Sequence, residues 1–197
     1  MAGAADIPEN GHPLKVVLLG PPGAGKGTQA QLLSARLGVP AISTGDMLRE
    51  AVAAGSELGR RVEGIMAAGK LVDDELMAEV VRDRLAKPDT AMGYLLDGYP
   101  RTLPQAKTLE GILRESGQQL DAVVMVDVPV DELVRRSLLR GRADDTEEVI
   151  RERQRVYREK TEPLIGYYRQ LGVLREIDGH LPVDEVTSHM FAALGIV

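Results

Sequence analysis

Apolar residues fall into two alternating kinds of segment along this chain: short unbroken runs, and longer stretches where apolar positions recur every three or four residues. The short runs at 15–20, 93–97, 122–128 and 173–178 predict strands. The runs at 93–97 and 122–128 are apolar without alternation, as expected of strands covered on both faces of a parallel sheet. A fifth short strand is expected at 40–43. Helical patterns lie between them: Ala30, Leu33 and Leu37 share one face, and Met47, Leu48, Ala51 and Val52 share another. This alternation predicts one α/β domain built on a five-stranded parallel sheet.

Composition narrows the function classes. A chain of 197 residues can bury roughly 70% of its unfolded surface around one core. Its 44% hydrophobic and 27% charged residues exclude a disordered chain, a coiled coil and a collagen. Cysteine is absent, which removes thiol nucleophiles, disulfides and Cys-ligated zinc and makes the cytoplasm the expected compartment. A net charge of -6 provides no global basic field, so nucleic acid and membrane surfaces are not expected partners. No apolar run is long enough to span a bilayer. Residues 1–14 lack a basic segment followed by an apolar one and are expected to form a flexible leader.

The strongest local signal is GPPGAGKGTQ, from Gly20 to Gln29, placed after an apolar strand and before a helical pattern. Gly20, Gly23 and Gly25 allow backbone N–H groups to approach phosphate oxygens, the helix start adds positive potential, and Lys26 adds a charge. Thr28 is the expected magnesium hydroxyl, although Gly27 stands where the general phosphate-loop pattern has Ser or Thr. A ligand-free glycine turn is the competing reading, and the strand and helix on either side favour phosphate.

Arginines crowd the stretch 135–158. On the helix after Thr146, Val149, Ile150, Val156 and Tyr157 form an apolar stripe with Arg153 at its centre. A guanidinium there must meet a carboxylate or a ligand anion. Arg151, Arg155 and Arg158 fall on the opposite face, in solvent. Arg136 and Arg140 lie one turn apart, a spacing that suits either a shared phosphate or two surface ion pairs. Arg142 opens a charged loop in which Asp145 and Glu148 have capping-box spacing. Arg101 and Asp97 follow a buried strand at the end where open α/β folds bind ligands, and Asp97 could order magnesium water. His12, His180 and His189 are scattered, without metal-ligand spacing.

GPPGAGKGTQ, STGDMLRE, GKLVDDEL, LLDGYPRT with Gln105, and RGRADDTEEVIRER occur in this order. Together they resemble the adenylate kinases of the nucleoside monophosphate kinase family, from about residue 15 to near the C-terminus. GKGT is that family's form of the loop, which accounts for Gly27. The resemblance implies a P-loop three-layer αβα core with a small helical NMP-binding excursion at 43–72 and a short lid at about 139–149. It also implies reversible, Mg-dependent transfer of the terminal phosphoryl group of ATP to AMP, giving two ADP.

By the same resemblance, Gly23, Ala24, Gly25, Lys26, Gly27 and Thr28 hold the ATP phosphates, with Arg136, Arg140 and Gly179 also contacting ATP. AMP is surrounded by Thr44, Arg49, Lys70, Leu71, Val72 and Gln105, together with Gly98, Tyr99, Pro100 and Arg101. Arg142 and Arg153 bridge towards the transferring phosphoryl group and AMP. The implied catalytic set is Lys26, Arg101, Arg136, Arg142 and Arg153. Magnesium is held mainly through ATP phosphates and water, with support from Thr28, Asp46 and Asp97. The short lid has no room for a zinc site, and a monomer is expected. A UMP/CMP kinase would share the loop and the arginines; Thr44 and Gln105 favour adenine, because pyrimidine-specific relatives commonly carry a smaller residue and an Asn there. A GTPase is excluded, since N-K-x-D cannot be formed when Asn10 is the sole asparagine. A catalytically silent ATP-binding module is disfavoured because every charged catalytic position is filled.

Overall fold

Six consecutive buried residues make β1 (Leu14–Leu19) the central strand of a parallel sheet. In this computed structural model, which describes residues 14–142 and 145–196, β1 pairs with β3 (Gly93–Asp97) on one side and β4 (Ala122–Asp127) on the other. β2 (Ala41–Ser43) flanks β3, and β5 (Leu174–Asp178) flanks β4, giving the order β2-β3-β1-β4-β5. Every strand ends within one residue of its predicted limits. Of the leader expected at 1–14, residues 1–13, including His12, lie outside the described residues, while Leu14 belongs to β1, where it pairs with Gly93.

The unbroken apolar runs reflect two cores, because successive strand side chains point to opposite faces. Val17, Leu19, Leu96, Val123 and Met125 face α4 (Asp74–Leu85), α5 (Leu103–Glu115) and α8 (Pro163–Gln170). Val16, Leu18, Leu95, Val124 and Val126 face α1 (Lys26–Leu37) and α9 (Val183–Ala193). This is the three-layer αβα arrangement the sequence predicts. Among the described residues, no helix is long and apolar enough to cross a membrane.

Two insertions interrupt the strand and helix alternation. After β2 the chain forms α2 (Thr44–Ala53) and α3 (Glu57–Ala67), capped by the Ser43 and Ser56 hydroxyls. The two helices meet at Gly59, where a Cβ would lie 2.1 Å from the Ala51 carbonyl oxygen and 2.7 Å from the Val52 Cα. Gly59→Ala is therefore expected to destabilise the protein by about 1–3 kcal/mol, the usual cost of overpacking, as measured by urea unfolding. An unchanged unfolding midpoint would contradict this packing.

The second insertion joins α6 (Val130–Arg140) to α7 (Glu147–Val156). Here the structure corrects two expectations. Thr146 caps α7 through its hydroxyl, leaving Asp145 outside the cap. The buried line of α7 is Ile150 and Gln154, continuing to Tyr157, and Arg153 lies at its edge with 16% of its side chain exposed. The phase turns because the Gln154 Nε2 donates to the Pro22 carbonyl at 2.7 Å, drawing a polar side chain inward. A π-helical turn, Tyr157–Thr161, then carries the chain into α8.

Candidate active site

The parallel strands deliver their carboxyl ends to one end of the sheet, and the strand order reverses at β1. The loop at 20–25 follows β1 and leads directly into α1, whose first N–H groups have no side-chain cap. Gly23 adopts φ +90, and a Cβ there would meet the Leu133 carbonyl oxygen at 2.6 Å and the Ser137 Oγ at 2.7 Å. Only glycine lets the loop lie this close against α6. The Lys26 Nζ folds back over the loop and donates to the carbonyls of Gly20, at 2.8 Å, and Pro21, at 3.1 Å. Burial pushes the Lys26 ammonium below the ordinary lysine range, and Asp97 opposes that shift.

A cleft of about 910 Å³ opens over these strand ends, near the upper end of the range for small-molecule sites. With the exception of Tyr99, every site residue expected from the motifs lines it. Tyr99 is turned into the core beneath, and its hydroxyl donates to the Gln105 main-chain carbonyl at 3.2 Å.

On the side formed by α2 and β3, the buried Thr44 hydroxyl donates to the Asp97 carbonyl at 3.3 Å. Arg101 is anchored by its Nε, which donates to the Gly98 carbonyl at 2.8 Å. Burial pulls the Arg101 guanidinium down from its ordinary value, with Asp97 again opposing. The π turn places the Thr161 hydroxyl 2.9 Å from the Arg101 carbonyl, to which it donates.

On the opposite side, Asp145 gathers the arginines. Its carboxylate accepts from the Arg140 Nε and NH2 at 2.9 and 2.8 Å, and from the Arg153 NH1 at 2.9 Å. Burial raises its carboxyl, but the Arg140 and Arg153 guanidiniums outweigh that and hold it below the usual carboxylate range. Arg136 is fixed by Glu132 at 2.6 Å and by the Gly179 carbonyl at 3.0 Å. Arg136 and Arg140 thus have carboxylate partners and also line the cleft. Arg142 reaches across the cleft mouth to Asp46 at 3.3 Å, and Asp46 also binds Arg49. Arg151 and Arg155 pair with glutamates of their own helical segment in solvent, and Arg158 is exposed, as their phase predicts.

Asp145 holds two arginines of the cleft and Gln154 holds the phosphate loop, parts that the motif reading did not give them. Gln154 stands four residues after Ile150 and three before Tyr157, on the buried line, but as a polar residue it is not marked by the apolar pattern. Asp145 carried a different expectation, helix capping, and only the folded loop brings Arg140 and Arg153 to it. Asp97 and Thr28 both border the cleft beside the loop, and the Asp97 Oδ2 lies 3.8 Å from where a Gly27 Cβ would stand. These hard oxygen donors fit magnesium that retains most of its ligands from water and phosphate. Among the described residues no cluster of three or more His, Cys, Asp or Glu could hold a metal by itself.

The family model for adenylate kinase matches residues 18–173. An adenylate kinase of Thermus thermophilus is 53% identical over 185 residues, covering 92% of this chain and 97% of that protein. One from Nocardia farcinica is 53% identical over 182 residues, covering 92% and 99%. One from Kosmotoga olearia is 46% identical over 212 residues, covering 92% and 99%.

Proposed function

The chain belongs to the adenylate kinase family, and from that premise we propose how its cleft carries out reversible transfer of the terminal phosphoryl group of ATP to AMP. The observation that carries this reading is the convergence of a phosphate loop and seven arginines, among them Arg49, Arg101, Arg136, Arg140, Arg142 and Arg153, on one cleft of a chain whose net charge is -6. Such a focused field suits two polyphosphate ligands meeting end to end.

In this reading the loop N–H groups, Lys26 and α6 hold the ATP phosphates. Arg49 and Arg101 hold the AMP phosphate, with Thr44, Gln105 and the segment at 70–72 around its base and sugar. An AMP phosphate oxygen attacks the γ-phosphorus of ATP as the bond to the β-phosphate oxygen breaks, so one ADP forms and another leaves. The charge spread over the equatorial oxygens is met by Lys26, Arg101, Arg142 and Arg153, whose planar forks suit phosphate oxygens. Asp97 and Thr28 would help hold magnesium brought in with ATP, and the ion would supply charge neutralisation for the phosphates. Asp46 serves as an arginine anchor, because Arg49 and Arg142 already share its Oδ1.

We assign the NMP-binding excursion to 43–72 and the lid to about 139–149, with Arg142 and Asp46 as the contact between them. Closure excludes water, the competing acceptor. We place the enzyme in the cytoplasm, which its lack of cysteine supports. The test is an ATP- and magnesium-dependent assay with AMP, UMP, CMP and GMP as separate acceptors. ADP formation with AMP as the preferred acceptor is the expected result; preference for UMP or CMP would overturn the base assignment, and hydrolysis without transfer would overturn the mechanism.

A further inference from the structure

The side-chain amide of Gln105 sits between two fixed partners of opposite polarity. Its Nε2 donates to the Asp74 Oδ1 at 2.7 Å, and its Oε1 accepts from the Arg101 main-chain N–H at 2.7 Å. Reversing the amide would set its oxygen against a carboxylate and its N–H groups against an N–H, so these partners permit one orientation. Both partners are themselves held. Asp74 is the first residue of α4, where a negative charge suits the helix N-terminus, and its two oxygens each accept from the Thr102 hydroxyl at 3.1 Å. Thr102 in turn caps α5 by accepting from the Gln105 N–H at 3.2 Å. On the other side, Thr161 bonds the Arg101 carbonyl.

A primary amide offers two acceptor sites and two N–H donors. After these two bonds, Gln105 retains one of each, on a side chain that lines the cleft. Adenine carries an N6–H donor beside the N1 acceptor on its pairing edge, which matches that remainder. Hypoxanthine and guanine carry an O6 acceptor beside an N1–H donor, which matches only the reversed amide.

We propose that Asp74 is a positioning residue for base choice: by locking the Gln105 amide through its carboxylate oxygen, it makes the acceptor site complementary to 6-aminopurine and mismatched to 6-oxopurine. This rests on AMP being the acceptor. Asp74 touches no reacting atom and acts through Gln105.

The first test uses the wild-type enzyme with ATP and three acceptors: AMP, purine riboside monophosphate and IMP. Purine riboside monophosphate retains the N1 acceptor and lacks any group at C6. A locked amide gives kcat/KM in the order AMP, purine riboside monophosphate, IMP, with about tenfold or more at each step. A freely turning amide would reverse to satisfy IMP twice, raising it to or above purine riboside monophosphate, and that order would overturn the proposal.

The second test uses variants. Asp74→Ala releases the amide and is expected to lower the AMP-to-IMP ratio of kcat/KM about tenfold, mainly through KM for AMP, with KM for ATP unchanged. Asp74→Asn keeps an oxygen acceptor and is expected to restore most of the ratio. An unchanged ratio in Asp74→Ala overturns the proposal, as does an Asp74→Asn ratio as low as that of Asp74→Ala, which would assign the effect to charge at the helix start. Should the Asp74 variants fail to fold, a wild-type order with IMP at or above purine riboside monophosphate still overturns the proposal. Preference for UMP or CMP over AMP would instead overturn the underlying acceptor reading, an outcome distinct from any change in purine order.

Discussion

Replacing Lys26 with methionine is expected to lower kcat for ADP formation by about 10²–10³, the usual loss when one preorganised charge-stabilising donor is removed. The melting temperature is expected to hold or rise. Methionine has nearly the same reach and no charge, whereas the half-buried lysine ammonium is held against the pull of desolvation. The Nζ now bonded to the Gly20 and Pro21 carbonyls is, in this account, the group that turns to the phosphates when ATP binds. Steady-state kinetics and a thermal melt on the same preparation separate the two effects. A variant with kcat within about tenfold of wild type would remove Lys26 from the chemistry.

Arg153→Ala is expected to lose turnover on a similar scale, about 10²–10³, with ATP affinity held within a few-fold. Arg153 is 16% exposed, lines the cleft and meets Asp145 at 2.9 Å, and the proposed mechanism sets its fork against the transferring group. Its loss removes an interaction made chiefly in the transition state. Arg155, two residues along, supplies the matched control. It is 56% exposed and paired with Glu152 and Glu159 on the solvent side. Exposed pairs of this kind contribute at most about 1 kcal/mol, so Arg155→Ala is expected to be nearly silent in turnover. Near-normal turnover for Arg153→Ala would exclude it from the mechanism, and a comparable loss for Arg155→Ala would mean that the helix, and not the site, had failed.

The sheet was legible because its strands are buried on both faces, and the unbroken apolar runs of β3 and β4 follow directly from that. The phosphate loop was legible because its chemistry is local: glycines, a lysine and a helix start within ten residues. Arg153 was correctly placed inward, but by a phase argument that gave it the centre of the stripe. Apolar pattern cannot register Gln154, which is buried by one hydrogen bond to the phosphate loop 132 residues earlier in the chain. Asp145 illustrates the same limit, since one carboxylate can serve as a helix cap or as an arginine clamp, and the choice depends on where Arg140 and Arg153 come to lie. Asp74 stands within the GKLVDDEL motif but reads there as an ordinary first-turn acid, and its bond to Gln105 exists only because α4 and α5 pack side by side.

If ATP and AMP meet in one cleft, the phosphoryl group passes directly between them. The most direct test is the stereochemical course at phosphorus, using ATP whose γ-phosphoryl is made chiral with sulfur and oxygen isotopes. Direct in-line transfer predicts inversion of configuration in the product. Retention would require two displacements through a phosphorylated side chain and would contradict the account.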